Sequence, residues 1–249
     1  MPVELTYEFN AESLPSGDIF LALEEADKFA LQINGKSVNT DVENGWWVDL
    51  SLRKIPIDPN LIRLGKNLIT LKIDYQETFS GFEIIYLLGN FGTKVDGNNV
   101  SITAPVNMLK TGDWVNQGLS FYSGSVSYCA SISGRPGNNE RMFVCVPEYR
   151  GTAIRIIVNN ISAGIIAWEP NEVDITDFLA DGTNEVLIEV VGHRRNSHGP
   201  HHNSNKWPVW TGPDQFQANG DEWFDGYNLV PCGLMAEPVI SIRVETTGK

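Results

Sequence analysis

Basic residues are scarce in this chain. Eighteen Lys and Arg stand against 31 Asp and Glu, a formal net charge of -13 over 249 residues. That balance excludes the usual nucleic-acid binder, whose affinity rests on Lys and Arg neutralising phosphates. It equally disfavours an anionic membrane surface. Split near Gly112, the first part carries 15 acidic and 9 basic residues and the second 16 and 9. The acidity is therefore spread over the whole surface, where it keeps the chain soluble, and a neutral partner such as a sugar suits it. No apolar run approaches the eighteen-odd residues of a membrane span. The start Met1-Pro-Val-Glu-Leu5 has neither a basic region nor an apolar core, so it does not read as a signal peptide. As written the sequence reads as cytoplasmic, or as a fragment trimmed from something larger.

Cysteine is almost absent. Cys129, Cys145 and Cys232 are odd in number and far apart, which is no disulfide framework. Their apolar, strand-like surroundings predict buried free thiols, with a Cys129–Cys145 bridge as the alternative. Also missing are a His-Glu-x-x-His zinc helix, a phosphate-binding Gly-rich loop and a Gly-x-Ser-x-Gly elbow. No segment sustains an amphipathic helix over three turns.

Short strands fill the space that helices leave. Leu5–Phe9, Ile19–Leu23, Phe29–Ile33, Leu68–Ile73 and Ile84–Leu88 are apolar or alternating runs bounded by Gly, Pro, Asn or Asp. Ser125–Ile132, Met142–Val146, Ala153–Val158, Glu185–Val191 and Val239–Val244 continue the series. Brief helical turns are expected at Pro59–Leu64 and Ile175–Leu179, each followed by glycine. The chain reads as all-β, built of antiparallel sandwiches.

The strands repeat. Phe29 to Ile33, Asn34-Gly35, Trp46-Trp47, Ile57-Asp58 and Gly65-Lys-Asn67-Leu-Ile-Thr-Leu71 form one unit. Ala153 to Val158, Asn159-Asn160, Trp168, Val173-Asp174-Ile175 and Gly182-Thr-Asn184-Glu-Val-Leu-Ile188 form another. Ile33 aligns with Val158 and Leu71 with Ile188. Asn-Gly and Asn-Asn make tight turns because both tolerate positive φ, the Asp can cap the helical turn, and Gly-x-Asn ends it. Two copies predict two sandwiches, residues 1–108 and 109–249, joined between Ala104 and Trp114. Of the adjacent pair Trp46-Trp47, one should face the core and one the outside.

The other concentration of signal is residues 193–227, which keep neither strand nor helix period. All four histidines of the chain lie in His193-Arg-Arg195-Asn196-Ser-His198-Gly199-Pro200-His201-His202. Trp207, Trp210 and Trp223 follow, three of seven tryptophans, among Asp214, Asp221, Glu222 and Asp225. Long loops in compact domains are functional or disordered, and disordered segments avoid aromatics, so this loop is expected to be folded. Indole faces can cover the C–H patches of a sugar, while Asp, Glu, His198, His201, His202 and Arg195 can bind its hydroxyls. The bland alternative is that the tryptophans form the loop's own small core. A zinc reading of the histidines is the minority one, because Gly199-Pro200 forces a turn between two of them. They are better read as shaping the loop through backbone carbonyls.

These residues carry a resemblance. A strand ending in Asn-Gly, a Trp-containing loop, Ile-Asp, then Gly-x-Asn-x-Ile-x-Leu resembles the galactose-binding-like jelly roll found as the sugar-binding domain of family 2 glycoside hydrolases. Gly112-Asp113-Trp114-Val-Asn-Gln117-Gly118-Leu-Ser-Phe-Tyr122-Ser-Gly124 resembles the start of the last such domain in large bacterial polysaccharide-degrading enzymes. Arg195-Asn196-Ser-His198-Gly199-Pro200-His201-His202 resembles an Arg-Asn-x-x-Gly-Pro-His-His signature of the same C-terminal regions. The resemblance implies two tandem jelly rolls and an accessory, carbohydrate-binding region of an exported glycoside hydrolase. Its partners would be an oligo- or polysaccharide and a catalytic domain carried on a longer parent. It implies no catalytic residue here, no cofactor, and a structural calcium on oxygen ligands as an added alternative. Two rivals follow from the residues. In one, Asp221, Glu222 and Asp225 supply the paired carboxylates of a stand-alone glycosidase; in the other, the region only orients a catalytic domain.

Overall fold

The computed structural model describes residues 1–79 and 82–244. The chain divides into two compact units: Met1–Asn107 together with Asp225–Tyr227, and Met108–Phe224 together with the chain from Asn228 onward. The first unit holds β1 (Pro2–Ala11), β2 (Ser16–Leu23), β3 (Ala30–Ile33), β4 (Lys36–Val38), β5 (Trp46–Trp47), β6 (Asp49–Ile57), β7 (Gly65–Asp74), β8 (Tyr86–Asn90), β9 (Gly92–Asp96) and β10 (Asn99–Thr103). They form one sheet of order β4-β3-β7-β1-β10-β9 and another of order β5-β6-β2-β8. Pairing is antiparallel throughout, apart from a short parallel contact of β1 with β10.

The second unit holds β11 (Ser125–Ser133), β12 (Glu140–Cys145), β13 (Tyr149–Arg150), β14 (Ala153–Val158), β15 (Ile161–Ile166), β16 (Glu172–Asp174), β17 (Thr183–Val191), β18 (Gly233–Leu234) and β19 (Val239–Val244). Here the sheets are β11-β17-β14-β15 and β16-β12-β19, with a small β13-β18 pair, all antiparallel. Period-two alternation buries one face of each central strand. Leu31, Ile33, Ile69 and Leu71 meet Ile19, Leu21, Ile55 and Ile57 in the first core. Ile154, Ile156, Val158, Val186, Ile188 and Val190 meet Met142 and Val144 in the second. Each unit is an antiparallel β-sandwich.

The repeat is visible in the register. In the first unit Ile33 lies opposite Ile69 and Leu31 opposite Leu71; in the second Val158 lies opposite Val186 and Ile156 opposite Ile188. The polar residues of the repeat form the same lock twice. Asn34, at φ 50°, donates to Leu61 O (2.8 Å) and to Asn67 Oδ1 (2.8 Å), and accepts from Leu68 N (3.0 Å). Asn67, fully buried, accepts from Arg63 N (2.9 Å) and donates to Arg63 O (2.7 Å) and Gly65 O (2.9 Å). Asn159, at φ 49°, donates to Phe178 O (3.1 Å) and Asn184 Oδ1 (2.8 Å), and accepts from Glu185 N (3.1 Å). Asn184, also fully buried, accepts from Ala180 N (2.7 Å) and donates to Ala180 O (3.0 Å). A buried amide is tolerated only when its donors and acceptors are satisfied, and here they tie the hairpin turn to the turn that starts the next strand. The predicted helical turns are 3-10 turns, Pro59–Leu61 and Thr176–Phe178, fed by Asp58 and Asp174 accepting from Asn60 N (2.9 Å) and Thr176 N (3.0 Å).

Two expectations need adjustment. The three cysteines are free, but Cys129 is exposed and Cys145 half-buried; Cys232 alone is buried. Cys129 occupies an outward position of a strand whose alternate residues Val126, Tyr128 and Ile132 pack on the core, so strand-like surroundings did not imply burial. Of the tryptophan pair neither belongs to the core: Trp46 is exposed, and Trp47, half-buried, packs on Tyr86 (4.6 Å between rings).

Candidate functional site: the loop after the last central strand

The segment after β17 leaves a core strand and must cross from one sheet to the other, so its first task is to satisfy its own backbone. A single helical turn, Arg195–His198, begins it. Asn196, buried, reads the backbone of Val230 from both sides: Nδ2 donates to Val230 O (2.7 Å) and Oδ1 accepts from Val230 N (2.9 Å). His201 Nε2 meets the Asn196 carbonyl at 2.7 Å. A carbonyl only accepts, so Nε2 carries the proton in the neutral ring. Burial, with the charges of Arg195, His202 and His198 adding to it, pushes the His201 pKa down to about 4, against the opposing hydrogen bond to Asn196. Its ring also meets Phe121 edge-on at 5.6 Å. His198 is likewise held below its ordinary value by burial and by Arg194, and its Nδ1 bonds Ser197 Oγ (2.7 Å). Arg195, lowered by burial, bends back along Gly199, where a β-carbon would meet its Cδ at 2.8 Å, and reaches Asn228 O at 3.5 Å. Gly199 is therefore needed for the close approach.

Farther along, the loop closes a neck on itself. Asn203 and Trp223 form an antiparallel bridge. Phe224 N donates to His202 O (2.7 Å) and Ser204 N to Glu222 O (2.8 Å). The His202 ring stacks on Trp223 at 4.9 Å, and Asn203 Nδ2 donates to Glu222 Oε2 (3.2 Å). Asn228 N donates to His201 O (2.7 Å), and its side chain to Asn203 O (2.8 Å). Three buried asparagines, 196, 203 and 228, thus pin the base.

Residues 205–221 project beyond that neck. Here Trp207 is 62% and Trp210 76% exposed, with Val209 and Phe216 also exposed. The excursion has local order: Asn205 Oδ1 accepts from Trp207 N (3.0 Å), and a 3-10 turn, Pro213–Phe216, is closed by Gln215 Oε1 accepting from Gly212 N (2.7 Å). Gly212 makes room for Trp210, since a β-carbon there would come within 2.7 Å of the indole nitrogen. Asp214 accepts from Gln217 Nε2 (3.2 Å), and Asp221 is exposed.

The residues singled out by sequence therefore separate. Arg195, His198, His201, His202 and Trp223 belong to the turn and neck, with Glu222 at the edge of the neck. Trp207, Trp210 and Asp221 belong to the excursion. Asp225 groups with Gly226 and Tyr227 in the first unit. Among the described residues, no group of three or more His, Cys, Asp or Glu is placed to hold a metal ion. One exposed indole escaped the sequence reading as a ligand candidate: Trp168, 79% exposed after β15. It belongs to the repeat, and a lone Trp beyond a strand end gives no pattern that distinguishes surface from core.

No family model and no curated protein matches this chain. Among solved structures, it is similar to a rhamnosidase from Novosphingobium sp. PP1Y, at 16% identity and a TM-score of 0.38, over 95% of this chain. The chain spans 24% of that protein's length. It is also similar to an anti-sigma factor domain-containing protein, at 14% identity and a TM-score of 0.23, over 77% of this chain and 75% of that one.

Proposed function

We propose that this chain is a non-catalytic, carbohydrate-binding accessory region of a polysaccharide-degrading glycoside hydrolase, its units being galactose-binding-like jelly rolls. The ligand surface is the excursion 205–221, with Trp207 and Trp210 as the stacking platforms. One observation carries the reading: two indoles three residues apart stay in solvent on a loop whose base is pinned by buried, hydrogen-bonded asparagines. A loop that needed tryptophan for its own core would cover it, as the neck half-buries Trp223 against His202. Exposed aromatic surface held on an ordered loop marks a binding site, and Asp214 and Asp221 offer hydroxyl acceptors alongside it. His198, His201 and Arg195 act through the scaffold, which they shape, and not by touching the sugar.

The test is calorimetric titration of the full chain with plant and host oligosaccharides. A Kd near 0.1 mM corresponds to about 5.5 kcal/mol, within reach of a stacked ring and a few hydrogen bonds. Trp207→Ala and Trp210→Ala should each weaken binding by roughly 1–3 kcal/mol, the range for base–aromatic stacking, with unchanged melting temperature. Binding that survives both substitutions moves the site elsewhere, with Trp46 and Trp168 next in line. No binding across the panel leaves the orienting role as the better reading.

A further inference from the structure

β11 pairs with β17 on one side and is an edge of its sheet among the described residues. It reads Ser-Val-Ser-Tyr-Cys-Ala-Ser-Ile-Ser, nine residues with no charge, proline or glycine. An edge strand presents a row of unpaired N–H and C=O groups, and proteins ordinarily blunt it with charges, proline or bulges. The matching strand of the first unit does so. Leu5 of β1 lies opposite Leu71 as Tyr128 of β11 lies opposite Ile188. Glu4 and Glu8 therefore hold the outward positions that Ser127 and Ser131 hold in β11. Both glutamates are exposed and ion-paired, Glu4 with Lys72 (3.2 Å) and Glu8 with Lys66 (2.6 Å). β10 also covers the end of β1 at Asn10 and Ala11. In β11 the place of Thr6 falls to Cys129, exposed at the centre of the strand.

We infer that β11 is an interface between two copies of this chain, joined edge to edge as an antiparallel pair about a two-fold axis at Cys129. A two-fold interface must be self-complementary, residue i meeting j as j meets i. β11 meets that condition in sequence. The axis sets Ser125 against Ser133, Ser127 against Ser131, Val126 against Ile132 and Tyr128 against Ala130, with Cys129 against itself. Hydroxyls meet on the outward face and apolar side chains on the inward face, and cross-strand pairs of these kinds are favourable. No like charges oppose. Two four-stranded sheets become one of eight. A partner strand from another protein would have no charge on β11 to select it, whereas a second copy brings the matching pattern.

Sedimentation of the full chain over the micromolar range should show a monomer–dimer equilibrium. The double variant Ser127→Glu/Ser131→Glu copies the charge pattern of β1 onto β11. It sets four glutamates across the junction beside Glu189 and Glu185, which lie opposite Ser127 and Ser131 within each chain. Dimer affinity should fall at least tenfold, about 1.4 kcal/mol. Ser127→Lys/Ser131→Lys puts equal bulk at the same solvent-facing positions, but between glutamates of both copies, and should keep the dimer. A short bismaleimide should link two copies through Cys129, and Cys129→Ser should lose the link while still dimerising. A wild-type chain that is monomeric throughout overturns the inference. So does a dimer indifferent to the glutamates, equal weakening by glutamate and lysine, or a cross-link that survives Cys129→Ser.

Discussion

In the first sandwich, residues 75–85 connect β7 to β8; in the second, residues 192–238 connect β17 to β19, the strands in the matching places. The short connection gathers its aromatics on one another: Phe79, half-buried, meets Phe29 edge-on at 6.0 Å and the exposed Phe82 at a tilt, 5.6 Å away. The long one has its own hydrogen-bonded base and leaves Trp207 and Trp210 outside. The same antiparallel pairing of central strands and the same asparagine lock serve both. What differs is a connection that the lock does not touch. A frame whose register is set elsewhere tolerates a long insertion, because loop closure costs only about 0.6 kcal/mol for each doubling of length. Binding chemistry can then accumulate on the insertion without disturbing the core.

If the two locks are equivalent, breaking either should be equally damaging to its own sandwich. Asn67→Ala removes the partner of the Arg63 N–H and a donor to two carbonyls, and Asn184→Ala removes the same contacts at Ala180 and Gly134, while Gly182 O keeps Gly134 N (2.6 Å). Each orphaned part-buried group costs about 1 kcal/mol, the low end of the range for buried ones, so each substitution should destabilise by roughly 2–3 kcal/mol. Equilibrium urea unfolding would measure it. Losses under about 1 kcal/mol in either variant would reduce the lock to decoration.

Trp114 and Trp210 set core against rim. Trp114 is fully buried, its backbone N–H held by Cys232 O (2.8 Å). Trp114→Ala should cost about 3–5 kcal/mol, whereas Trp210→Ala should change stability by no more than about 0.5 kcal/mol. Comparable thermal shifts for the two would mean that Trp210 packs in solution.

The base of the loop should make the second sandwich acid-sensitive in a way the first, which has no histidine, cannot match. His201 titrates near 4 when folded and near 6.5 when unfolded. Between those values the unfolded chain binds the extra proton, so stability rises with pH there. The contribution is whole above about pH 6.5 and is lost as pH falls towards 4, about 3 kcal/mol in all. Melting temperatures from pH 7 to 4.5 should show the fall, and His201→Gln should flatten it. An identical slope in the variant would place the acid sensitivity in other groups.

Much of this was legible in the residues. Alternating apolar runs marked the central strands, and Asn34, Asn67, Asn159 and Asn184 marked the repeat. Positive φ and a turn-starting glycine leave few alternatives to asparagine at those turns. Among the strands that escaped are the two- and three-residue β4, β5, β13, β16 and β18, too short to show a period, and the longer β6, β9, β10 and β15, whose serines, lysines and glycines blur the period of two. They are recruited by pairing with neighbours distant in the chain, and β propensity is mostly a response to such context.

The loop was recognisable as the place to look, because composition alone concentrated His, Trp and carboxylate there. Which of those residues face solvent was not written locally. Trp207 and Trp223 are the same side chain in similar company. One projects and the other stacks on His202, because Asn203 happens to bridge to Trp223 and draw the neck shut. The exposure of Cys129 was decided in the same way, by which face of β11 the second core covers. Local sequence determined the turns, the strand period and the repeat, since these depend on backbone sterics and on which face of a strand is apolar. Tertiary structure decided what is covered, since burial is a property of the neighbours a residue acquires and not of the residue.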